Sequence, residues 1–233
     1  MDYFYSIVFG LEIKSDSVSL LYKTIFRSIS MSKFDEQILV VKTDILLDKK
    51  QNAFNGFIDN KDPKFDEIVQ TLPQFEVKRR GDMEEDPSYK QLISYAIIAS
   101  GDETLVYKRL EGGGESRLHG LLSIGVGGHM NDIEDVTDIK EKMMINAARE
   151  LEEEVGITED KLKSFEIVGL INDDTNEVGQ VHIGLVFKVE VNKEDIFSNE
   201  EDTIELIWTN DSELNSLSPY ESWSELIIRD AYA

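Results

Sequence analysis

Glu150, Glu153 and Glu154 stand at i, i+3 and i+4, a spacing that puts three carboxylates on one face of a helix. Glu152 points roughly the other way. Carboxylates this close repel one another, and towards the C-terminal half of a helix the backbone dipole disfavours negative charge as well. Folding alone gives no reason to gather them. A divalent cation resolves the conflict, and carboxylate oxygens are the ligands that Mg²⁺ or Mn²⁺ prefers. The ordinary reading of a glutamate run is a solvated acidic face. Acidic residues here number 47 against 24 basic ones, so the surrounding pattern has to decide.

That pattern specifies a helix with defined ends. Asp138 is placed to cap its start, and Glu141 follows at capping-box spacing. Ile139, Met143, Ala147, Leu151 and Val155 recur every fourth residue, and Met144 and Ala148 widen the stripe into a face to be buried. Gly156 sits where the helix stops, since glycine accepts the left-handed cap conformation. Upstream, Leu121 to Val126 reads as a strand that delivers Gly127-Gly128 to the helix. Glycine there lets the backbone come close to a ligand.

Arg149-Glu150-Leu151, Glu153-Glu154 and Gly156-Ile157, with Glu141 eight residues before the arginine, resemble the Nudix box of the MutT-type hydrolases. The second half agrees at every defined position. The first half departs: the family's glycine six residues before the first glutamate is Asp135 here, so Asn131 to Thr137 reads as an insertion in the loop. A narrower resemblance, to a subgroup of MutT-type phosphoesterases, extends upstream. It rests on Phe54-Phe57, Arg80, Glu85-Asp86, Gln91, Glu115-Ser116-Arg117-Leu118-His119-Gly120, Ser123 to His129 and Glu221-Ser222-Trp223.

The resemblance implies an α/β (α+β) fold, a Nudix-like α/β/α sandwich with a mixed β-sheet. Residues 1–34 would be an N-terminal extension and 35–233 the hydrolase domain, with its core at about 90–230. It implies a Mg²⁺-dependent hydrolase, with Mn²⁺ as the alternative ion, that cleaves the diphosphate of a nucleoside diphosphate joined to another group X. Glu150 and Glu154 would be the principal metal ligands. Glu153 would be a ligand that also contacts the attacking water, and the Gly128 carbonyl a further ligand. Arg149 would pair with Glu153 at i+4 and orient it, so that Glu150, Glu153 and Arg149 form the catalytic set. Arg80, Arg109, Arg117 and His129 are the candidate substrate contacts. A base outside the box would come from Glu177, Glu200, Glu201 or Asp202, which the sequence does not rank. His182 reads as a packed strand residue.

The other elements follow local signals. Ile38 to Val41 and Ile45 to Leu47 read as short strands, and Phe54 to Phe57 as a turn. Asp62-Pro63 opens a helix that Pro73 ends. Lys78-Arg79-Arg80 reads as an exposed loop neutralised by the acids that follow, although Arg79 and Arg80 would reach a diphosphate if the fold carried them there. Gln91 to Ser100 and Thr104 to Arg109 form a hairpin, and Gly112 to Gly114 is a loop. Phe165 to Ile171, Val181 to Val191 and Ile204 to Trp208 are strands, and Ser222 to Tyr232 is a helix covering the sheet.

Composition narrows the partners. No cysteine is present, which excludes disulfides and thiolate metal sites and argues against the isopentenyl diphosphate isomerase branch of the fold, which relies on one. A net charge of -23 repels nucleic acid at long range, so the expected substrate is a small diphosphate and no large RNA. The apolar run Tyr3 to Leu11 is too short to span a bilayer and lacks a basic leader, so no membrane association and a cytoplasmic location are expected. An exposed apolar arm of this kind suits a homodimer. The rival reading is a catalytically silent Nudix-fold module that binds a nucleotide or a partner. The three glutamates argue against it, because a pure binder has no need of repulsive acids.

Overall fold

The computed structural model describes residues 33–110, 119–197 and 204–232. Ten strands form one mixed sheet: β1 (Gln37–Lys42), β2 (Gly56–Asp59), β3 (Glu76–Arg79), β4 (Tyr89–Ser100), β5 (Glu103–Arg109), β6 (Leu122–Ser123), β7 (Gly125–Val126), β8 (Ser164–Asn172), β9 (His182–Glu190) and β10 (Ile204–Asn210). Among the described residues the α-helices are α1 (Thr43–Leu46), α2 (Pro63–Val69), α3 (Arg80–Met83), α4 (Ile139–Val155), α5 (Glu177–Gln180) and α6 (Ser222–Ala231).

β4 organises the sheet. One edge runs parallel to β9, from Gln91 opposite His182 to Ala99 opposite Glu190. The other edge is shared in succession by β1, a bridge from Ile93 to His129, β7 and the β5 hairpin. Its remaining neighbours are antiparallel, so the sheet is mixed, continuing through β8 and β2 on one side and β5 and β10 on the other.

The side chains of a strand alternate between faces, so β4 feeds two cores. Leu92, Ala96 and Ile98 pack with the α4 stripe of Met143, Ala147, Leu151 and Val155. Tyr95 and Ile97 face the other way and pack with Ile227 and Ile228 of α6. Helix α4 therefore covers one face and α6 the other, giving the sandwich. Truncating fully buried Leu151 to alanine should cost about 2–5 kcal/mol.

Helix α4 has the ends its sequence specifies. The Asp138 side chain accepts from the Glu141 N–H, and Gly156 adopts φ 65°. The Ile157 N–H reaches the Leu151 carbonyl at 3.1 Å, which satisfies one of the last carbonyls of the helix. The 131–137 segment is held against α4 by two buried polar side chains of the helix. Lys142 Nζ donates to Asp132 Oδ1 and the Ile133 carbonyl, each at 2.6 Å. Asn146 bonds the Asn131 backbone on both its N–H and its carbonyl.

Several local readings differ from the structure. Ile45 to Leu47 is the end of α1 and its cap, because so short an apolar run buries Leu46 and Leu47 equally well in one helical turn. The Phe54 to Phe57 turn runs straight into β2, which starts at Gly56 with φ 105° and pairs with β8. Lys78 and Arg79 lie in β3, and Arg80 starts α3. The Leu121 to Val126 run divides into β6, paired with β5, and β7, paired with β4. Residues 1–30 and Gly112 to Gly114 lie outside the described residues.

Candidate functional site

A cavity of about 1080 Å³ opens where β4, the turn after β7 and helix α4 meet. Glu150, Glu153 and Glu154 line it together with Gly127, Gly128 and His129. Upstream elements close one side with Lys33, Glu36, Arg80 and Glu84, and α6 closes another with Glu221, Trp223 and Glu225.

The Glu150 side chain is only 12% exposed. Removal from water pushes its carboxyl above the ordinary range, against the pull of Arg149. The carboxylate lies over Gly128: a methyl group there would stand 2.7 Å from Oε1 and 2.8 Å from Oε2. Gly128 thus makes room for Glu150, while its own carbonyl accepts from Ser94 N at 2.9 Å and Ser94 Oγ at 3.3 Å. At Gly127 a methyl group would meet the Ser94 carbonyl oxygen at 1.8 Å, so that position is set by backbone-to-backbone contact with β4.

Arg149 ties the acids to the turn. Its guanidinium lies 2.7 Å from Glu150 Oε1 and 3.2 Å from Glu153 Oε2, and Nη2 donates to the His129 carbonyl and Asn131 Oδ1. Asn131 Nδ2 in turn donates to Glu36 Oε1 and the Gln37 carbonyl, each at 2.9 Å. Glu36 also meets Arg80 at 3.3 Å, and Arg80 Nε donates to Glu84 Oε1 at 3.0 Å. The upstream elements are therefore wired to the acidic helix through one polar chain. Arg79 faces elsewhere, onto Asp35 and Asp82.

His129 Nε2 lies 2.8 Å from Gln91 Oε1 and 3.2 Å from His182 Nε2. Burial, followed by the nearby Arg80, His182 and Arg149, pushes His129 down to about 2, so it is a neutral imidazole at ordinary pH. His182 is lowered by burial as well. On the α6 side, Tyr95 Oη donates to Glu221 Oε1 at 2.7 Å and bonds Ser224 Oγ at 2.7 Å. The same oxygen accepts from Ser224 N, and Oε2 accepts from Trp223 N at 2.8 Å. Glu221 is thereby the N-cap of α6 and is saturated with donors.

The donor set can be tested against a hard cation. Carboxylate oxygens from one helix face, including the buried Glu154 Oε2, have the chemistry that Mg²⁺ and Mn²⁺ select. Among the described residues no three His, Cys, Asp or Glu side chains converge as a ready cage; Arg149 holds two of the glutamates instead. The donors fit, with Arg149 as the competing cation.

Of the residues singled out by sequence, Glu150, Glu153, Glu154, Arg149, Gly128, His129 and Arg80 come together around this cavity. Arg117, Glu200, Glu201 and Asp202 lie outside the described residues. Arg109 contributes backbone opposite Ile204. Glu177 is exposed on α5, while its neighbours Asn176 and Val178 line the cavity. Sequence reasoning missed Glu36, Glu84, Glu225 and Lys33, which carry no local signal. His182 is a cavity residue as well as a packed one.

No family model matches the chain. It is 41% identical over 203 residues to Protein YmaB of Bacillus subtilis strain 168, a match covering 85% of this chain and 98% of that protein. The crystal structure of Tm1382, a provisionally assigned Nudix hydrolase, is similar with a TM-score of 0.68 and 34% identity, over 83% of this chain and 97% of the other. A MutT Nudix hydrolase from Burkholderia pseudomallei is a more distant match, 19% identical with a TM-score of 0.46 over 61% of this chain and 98% of that one.

Proposed function

The chain belongs to the Nudix (MutT-like) hydrolases, and from that premise we propose that it is a pyrophosphohydrolase that uses a divalent cation held on α4 to cleave the diphosphate of a nucleoside diphosphate joined to a group X. The observation that carries the reading is the alignment of Glu150, Glu153 and Glu154 along one wall of the cavity.

Glu150 and Glu154 would hold the ion as principal ligands, with Glu153 beside them. When bound, Mg²⁺ or Mn²⁺ supplies polarisation of the phosphoryl oxygens and acidifies the attacking water. Gly128 contributes by having no side chain, which lets the Glu150 carboxylate sit against the turn. Arg149, itself anchored on the His129 carbonyl, would orient Glu153 through the i+4 bond. Arg80, which lines the same cavity, is the guanidinium available to the diphosphate; it would exchange part of its pairing with Glu36 and Glu84 for phosphate oxygens. Neutral His129 adds no charge beside the acids. Glu221 is spent on capping α6 and does not serve as base.

One observation favours a second reading, a nucleotide-binding module without turnover: Arg149 already neutralises Glu150 and Glu153. The test that separates the two is Mg²⁺-dependent phosphate release from a panel of nucleoside diphosphate compounds, for wild type, Glu153→Gln and Glu154→Gln. Turnover that falls by orders of magnitude in both variants supports hydrolysis on α4. Binding of a panel member without turnover supports the module. Absence of both turnover and Mg²⁺ binding overturns the three-glutamate argument.

A further inference from the structure

Lys90 is a large side chain buried inside the protein, 1% exposed, and no step above uses it. It lies near the start of β4, beside Gln91, and its ammonium has three N–H groups. Each has an acceptor: Asp174 Oδ1 at 2.6 Å, the Gly179 carbonyl at 2.7 Å and Asn172 Oδ1 at 2.8 Å. Two of these acceptors lie where β8 ends, and the third lies within α5. The ammonium therefore ties both ends of the 172–179 segment together. The segment also closes on itself. A methyl group at Gly179 would stand 1.7 Å from the Asp173 carbonyl oxygen, and the Asn176 side chain accepts from the Gly179 N–H at 2.8 Å.

What the segment presents is the Val178 carbonyl, 2.7 Å from His182 Nδ1. A carbonyl only accepts, so Nδ1 carries the proton and His182 Nε2 is left as a lone pair. His129 Nε2 then faces two acceptors, His182 Nε2 and Gln91 Oε1. The Gln91 amide is oriented by its Nε2, which donates to the Met83 carbonyl at 3.1 Å. His129 must therefore carry its proton on Nε2. The backbone carbonyl of the same His129 receives the Arg149 guanidinium that holds the glutamates.

We infer that Lys90 is a positioning residue for the cavity: its ammonium locks the 172–179 segment, and the locked Val178 carbonyl fixes the tautomers and orientations of His182 and His129. A neutral side chain of similar length would take the ammonium donor from the buried Asn172 Oδ1 and Gly179 carbonyl and the ion-pair partner from Asp174. The segment would then turn towards water to satisfy them, releasing Val178 from His182. The tautomer claim stands on the hydrogen bonds alone; only its consequence for turnover rests on the hydrolase reading.

The test is long-range ¹⁵N spectroscopy of the imidazoles in full-length wild type, Lys90→Met and Asp174→Asn, with kinetics on the same samples. Wild type should show His182 protonated on Nδ1 and His129 on Nε2, each as one tautomer. Folded Lys90→Met should show His182 averaging between tautomers, and kcat should fall on the order of a hundred-fold with KM little changed, the signature of misplaced groups. Unaltered imidazole shifts in folded Lys90→Met overturn the inference. If that variant does not fold, Asp174→Asn decides, because it weakens the clamp from its solvent side: a partial shift of the His182 signals supports the clamp, and wild-type signals overturn it. A wild type with no turnover would sink the hydrolase reading but leave the tautomer result standing.

Discussion

Replacing His129 with glutamine should flatten the acid limb of the stability profile. In the folded protein His129 is pushed from its ordinary 6.5 to about 2, first by removal from water and then by Arg80, His182 and Arg149. The unfolded chain carries an ordinary imidazole. Below about pH 6.5 the unfolded state therefore takes up a proton that the folded state refuses, and stability falls as pH falls. The contribution is complete above 6.5 and is lost progressively towards 2. At about pH 5, three-halves of a unit below the unfolded value, the loss is RT ln(1 + 10^1.5), about 2 kcal/mol. Glu150 works in the opposite sense: burial raises its folded value, so the folded state is protonated first and gains as pH falls. The raw slope mixes these groups, so the informative quantity is the difference between wild type and variant. Urea melts from about pH 8 to about pH 5 should show wild type losing about 2 kcal/mol more than His129→Gln. The variant keeps a residual acid slope from His182, which burial also depresses. Parallel curves for the two proteins would refute the account of a neutral buried pair.

The two glycines of the turn should separate. Gly128→Ala thrusts a methyl group against the Glu150 carboxylate, the end of a flexible side chain; hydrolysis should drop sharply while thermal melting moves little. Gly127→Ala meets backbone at 1.8 Å and should cost stability directly, about 1–3 kcal/mol by urea melting. At the end of α4, Gly156→Ala forces an alanine to φ 65° and should cost about 1 kcal/mol in the same measurement. At its start, Asp138→Ala removes the bond to the Glu141 N–H and should also cost about 1 kcal/mol.

The helix that carries the chemistry was legible residue by residue. Its caps at Asp138 and Gly156, its buried stripe and the common face of Glu150, Glu153 and Glu154 depend on groups at most four positions apart, and helical geometry fixes what such neighbours do. The β4–β5 hairpin was legible for the same reason, since its partners adjoin in the chain. Ile45 to Leu47 was misread because a three-residue apolar run has no period to distinguish strand from helix.

What tertiary structure alone decided is the company these residues keep. Arg80 reads locally as one of three basic residues in a loop; it reaches the cavity because β1 pairs with both β3 and β4, carrying α3 alongside Glu36. His129 and His182 lie 53 residues apart in the chain and meet only because β9 runs parallel to β4 in the register that sets Gln91 opposite His182. Lys90 reads as an ordinary strand lysine until β8 and α5 close three acceptors around it. Register depends on which faces of distant strands are buried together, and no window of neighbouring residues contains that information.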